Sequence, residues 1–88
     1  MEKLLDDAIY VIEDHDDLCL ALRNLSENLT SENQGIFNEI LQKALRGNLS
    51  IGDINKKPFL SDDNIIKALT KIHLRSSINL MLDKARRA

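Results

Sequence analysis

Eight residues near the amino terminus, Leu4, Ala8, Val11, His15, Leu18, Leu22, Leu25 and Leu29, follow one another at alternating spacings of four and three. On an α-helix those spacings place all eight on one stripe, the seam along which helices pack in coiled coils. Ile12 and Cys19 widen the stripe, and acids occupy most of the other faces. The pattern predicts a single helix over about residues 2–29, roughly 40 Å long at 1.5 Å per residue. A chain of 88 residues folded on itself covers only part of such a helix. The expectation is therefore a homodimer formed through this seam. The alternative is an ordinary amphipathic helix covered within one chain.

The remaining composition points the same way. Fifteen Leu and ten Ile supply a core, whereas three Gly and one Pro are too few turn residues for a sandwich or barrel. Eighty-eight residues make one domain, 1–88. Thr30-Ser31-Glu32-Asn33-Gln34 reads as a helix start, with Ser31 as cap and Gln34 as its capping-box partner. Ile36, Phe37, Ile40, Leu41, Ala44 and Leu45 continue as an apolar stripe, and Gly47 reads as the stop. A second helix is expected over 32–46.

Residues 47–60 form a loose connector with room for one short helical turn between Ser50 and Asn55, ended by Lys56-Lys57-Pro58. Phe59 and Leu60 are expected to tuck into the core. Ser61-Asp62-Asp63-Asn64 opens a third helix over 62–85, with a serine cap and acids at the positive end of its dipole. Within it the apolar phase changes. Ile65, Ile66, Ala68, Leu69 and Ile72 share one face, while Leu74, Ile78, Met81, Leu82 and Ala85 lie mostly on the opposite one. Either the chain bends near His73–Ser77, or a partner covers the second side. The fold class is all-α: a small bundle of three main helices plus a short helical turn.

Charge is divided between the halves. Residues 1–32 carry nine acids against Lys3 and Arg23, and residues 33–88 carry five acids against ten bases. A polarity of this kind signals either internal pairing or a basic surface with a partner.

Few chemistries survive inspection of the motifs. There is no glycine-rich phosphate loop, no Gly-x-Ser-x-Gly and no His-Glu-x-x-His. Acyl carrier proteins have this length and class, but their attachment site needs Asp-Ser-Leu, and here Ser61 precedes Asp62. Cys19 is the only cysteine, so neither a disulfide within the chain nor a Cys-rich zinc site is expected. His15 and Cys19 stand four apart, but no second cluster completes a tetrahedral metal site. No metal, cofactor or small-molecule substrate is expected, and the chain reads as a non-enzyme. The acidic start Met-Glu-Lys is unlike a signal peptide, and no apolar run spans a membrane, so a cytoplasmic setting without membrane attachment is expected.

The leading functional expectation is a small regulatory or adaptor protein that binds another protein through helix faces. Leu18, Leu22 and Leu25 would anchor it, with the flanking acids steering a basic partner. His15, polar within the seam, would fix register or make the interface sensitive to pH; the plainer reading is a structural histidine at the stripe's edge. The runner-up is a DNA-binding regulator. Residues 66–79 resemble a helix-turn-helix unit with a turn at His73, Ala68 between the helices and Ile78 anchoring the second. Lys67, Lys71, Arg75, Ser76, Ser77, Asn79, Lys84, Arg86 and Arg87 would then contact nucleic acid. A weaker alternative is a toxin- or bacteriocin-neutralising immunity protein, by analogy with small acidic immunity bundles of this size and class.

Overall fold

The run Glu13-Asp14-His15-Asp16-Asp17 would place four acids in the middle of a continuous helix. The chain instead breaks there. In the computed structural model, which describes residues 2–55 and 57–87 and leaves the side chains of Glu2, Ile51 and Arg87 outside the described set, helix α1 spans Glu2–Val11 and α2 spans Asp16–Asn28. The expected helix over 2–29 is thus two helices joined by a turn over residues 12–15. Breaking here moves Asp16 and Asp17 into the first turn of α2, where the helix dipole favours negative charge.

The break also frees carbonyls at the end of α1, which need new donors. Arg75 Nη1 donates to the Val11 carbonyl oxygen at 2.7 Å, and the Cys19 thiol lies 3.2 Å from the Ile12 carbonyl oxygen. Arg75 thus stands in for the helical N–H that the Val11 carbonyl would have met, while the Ile12 carbonyl also accepts from the His15 N–H at 2.9 Å.

Helix α3 runs Ser31–Leu45, and its cap is Thr30 rather than Ser31: the Thr30 hydroxyl accepts from the Asn33 N–H at 3.3 Å. It stops where the glycine predicts. Gly47 has φ +69°, the Asn48 N–H donates to the Lys43 carbonyl at 2.9 Å, and the Gly47 N–H donates to the Ala44 carbonyl at 3.0 Å. This is a Schellman stop. Helix α4 spans Ile51–Asn55 in the connector, opened by reciprocal bonds between Ser50 and Asp53. These bonds hold the Asp53 carboxyl below the usual range. A 3-10 turn follows over Pro58–Leu60, burying Leu60 completely. Lys56, part of the expected stop, lies outside the described residues.

Helix α5, Asp63–Arg87, is continuous across His73–Ser77, so no turn interrupts it there. Its cap is Asp62, whose carboxylate accepts from the Asn64 N–H at 2.8 Å, in place of Ser61.

The core gathers the apolar faces of all these elements. Ala8, Ile9 and Ile12 meet Leu18 and Leu22 of α2 and Phe37, Ile40, Leu41 and Ala44 of α3. Ile54, Leu60 and the first half of α5 (Ile65, Ala68, Leu69 and Ile72) close it. The all-α fold is as expected: a small helical globule, with no strand among the described residues.

Candidate interaction surface

The first half of α5 is spent on the core, and Ser76 is the last buried position along it. From Ile78 to Arg86 every residue is exposed, so the last turns of the helix run beyond the core. The 25 residues of α5 extend about 37 Å, close to the longest dimension of the molecule, 44 Å.

Along the outward side of this helix Leu74, Ile78, Met81 and Ala85 recur at spacings of four, three and four. Leu82 broadens the stripe to an arc of about 100°, the width a helix normally buries. Here it faces out. Leu74 and Ile78 are 54% exposed, Leu82 53% and Met81 69%. The phase change legible in the sequence is therefore a second face of one continuous helix. Leu80, exposed beside Val11 and Leu45 where α5 passes the ends of α1 and α3, was not part of that expectation.

The amino-terminal seam lies elsewhere than expected. Ala8, Leu18 and Leu22 are buried within the chain, Val11, Leu25 and Leu29 pack at the core's edge, and Leu4 and His15 are half-buried. None of the eight is open. The anchors expected at Leu18 and Leu22 hold this chain's own core together. His15 sits in the turn before α2, with Nε2 3.4 Å from an Asp14 carboxylate oxygen, and not within a helix seam.

The expected nucleic-acid contacts are also scattered. Arg75 grips Asp14, with Nη2 2.9 Å from Oδ2 and Nη1 on Oδ1. Ser76 is buried, and Ala68 packs into the core rather than between two helices of a recognition unit. Lys67, Asn79, Lys84 and Arg86 are exposed, Lys71 and Ser77 half-buried, and the side chain of Arg87 lies outside the described set. With α5 unbroken, the expected helix-turn-helix does not form. Lys67, Thr70, Lys71 and Leu74 form one wall of an open groove whose other wall is Asp14, His15, Asp16 and Asp17.

The Arg75 guanidinium holds the Asp14 carboxyl well below the usual aspartate range. Burial pushes the Cys19 thiol up, helped by nearby Asp16, which disfavours the nucleophilic thiolate. Among the described residues no three His, Cys, Asp or Glu side chains converge in a way that could hold a metal ion. No described helix is long and apolar enough to cross a membrane. No family model, no curated protein and no solved structure matches the chain.

Proposed function

We propose that this chain is a non-enzymatic adaptor or regulator that binds a helix of another protein along the outward face of α5. The observation that carries the reading is the apolar stripe Leu74-Ile78-Met81-Ala85, widened by Leu82, on a helix that outruns its own core. Surface area supports it. A monomer of 10.0 kDa exposes about 5,200 Å² by the usual scaling, whereas this chain exposes 6034 Å². The excess fits a helix whose last turns project beyond the core, in a molecule 44 Å long and 26 × 24 Å across. A stripe with heptad spacing selects a helix as its counterpart, because seam side chains then fit between those of the partner.

The test is a labelled amphipathic helical peptide with leucine at its seam positions and glutamine at the flanks, titrated with the full chain by fluorescence anisotropy. Saturable binding is expected, weakened at least about tenfold by Met81→Glu, which removes an apolar anchor from the stripe. Absence of binding, or binding indifferent to Met81→Glu, overturns the reading.

A second reading, DNA binding, draws on the exposed bases Lys67, Lys84 and Arg86 of the same helix. It has less support, since Arg75 is held by Asp14 and the acids at 14, 16 and 17 line the groove beside Lys67 and Lys71. Salt-sensitive binding of a random duplex would favour it.

A further inference from the structure

The charges around the stripe select among partner helices. Past Asp63 at its start, α5 carries Lys67, Lys71, Arg75, Lys84, Arg86 and Arg87 against a single acid, Asp83. At 100° per residue Asp83 falls on the side opposite the stripe. Lys84 flanks one edge of the stripe and Arg86 the other, while Lys67 and Lys71 continue its line toward the amino end. The apolar anchors are therefore framed by cations.

We infer that the helix recognised by α5 carries acidic residues beside its apolar seam, a deepening that rests on the protein-binding reading above. Charge complementarity of this kind steers encounter and rejects wrong partners. A second copy of the same face fits poorly. In a parallel self-pair Lys67 and Lys71, which continue the seam line of the stripe, would each face their own copy. Like charges brought together across an interface disfavour that pairing. An anionic bilayer fits less well than a single helix. Asp16 and Asp17 border the groove beside Lys67, Lys71 and Leu74, so a flat negative surface would meet them, whereas a single helix can seat on Ile78, Met81 and Ala85 between Lys84 and Arg86, past the end of that groove.

The experiment compares two labelled helical peptides with the same leucine seam, one flanked by glutamate and one by lysine, against the full chain. The glutamate peptide is expected to bind at least about tenfold more tightly, and to weaken as salt rises from about 50 to 300 mM. The double variant Lys84→Glu/Arg86→Glu, both exposed, is expected to reverse the preference while its helical circular dichroism stays unchanged. Equal binding of both peptides, each still lost in Met81→Glu, overturns the acidic-partner inference and leaves the helix-binding reading standing. Binding of neither peptide overturns both. Concentration-dependent self-association through α5, or binding to phosphatidylglycerol vesicles in preference to the glutamate peptide, also overturns the inference.

Discussion

Arg75 and Asp14, 61 residues apart in sequence, meet in a two-pronged ion pair, while the same guanidinium donates to the Val11 carbonyl oxygen at 2.7 Å. One side chain of α5 thus caps α1 and holds the turn that separates it from α2. Because Asp14 titrates below its ordinary range, the folded state favours its ionised form. The sign follows from that. Its stabilisation is complete above the unfolded aspartate value of about 3.9 and is lost as pH falls from there toward the depressed folded value. Asp14→Asn should lower the urea midpoint at neutral pH, with the gap from the parent narrowing in acid. A gap constant from pH 7 down to about 2 would contradict the linkage. Both groups are partly exposed, so added salt should shrink the effect.

Two glycines should respond to alanine in opposite directions. Gly47 stands at φ +69°, and a Cβ there would lie 3.1 Å from the Ser77 backbone Cα. Gly47→Ala should cost about 1–2 kcal/mol or more, from the left-handed backbone and the contact with α5 together. Gly35 lies within α3 with nothing within 4 Å of an added Cβ. Gly35→Ala should stabilise by about 0.5–1 kcal/mol. Chemical denaturation of the two variants side by side checks both signs.

The two faces of α5 should separate in the same way. Ile72 is fully buried and Ile78 is 54% exposed. Ile72→Ala should cost about 2–5 kcal/mol, as truncation in a packed core does. Ile78→Ala should stay within about 0.5 kcal/mol of the parent. A large loss at Ile78 in the isolated chain would mean that the outward stripe is already covered.

His73 ties the connector to α5, its Nδ1 accepting from the Leu49 N–H at 3.1 Å. The imidazole proton therefore sits on Nε2. His73→Ala should leave a partly buried amide without its acceptor, at a cost of about 1–3 kcal/mol. Amide hydrogen exchange at Leu49 should accelerate in the variant. Unchanged protection would show that another acceptor takes over.

Much of this architecture is written in local pattern. Gly47 as the stop of α3, the turn between Ser50 and Asn55, the burial of Leu60 and the split apolar phase of α5 all follow from neighbours within a few residues. The break at residues 12–15 had a local trace as well, since Asp16-Asp17 ahead of Leu18 is itself a helix-start signal. The unbroken spacing of the leucines outweighed it, because a turn of suitable length can leave the same residues pointing inward. The caps shifted by one residue for a similar reason: Thr30 and Ser31, or Ser61 and Asp62, are both competent, and the approach of the chain selects one.

Taken alone, the sequence determined that the chain is helical, where most helices stop and which residues prefer to leave water. Tertiary structure decided which stripe was used. The amino-terminal seam, the more regular of the two, was consumed in the core by α3 and α5, while the outward stripe of α5 was left open. Helical periodicity is a property of residues three and four apart, whereas the covering of a stripe depends on elements brought together from across the chain. Arg75 reaching the end of α1 is one such event, and no local pattern encodes it.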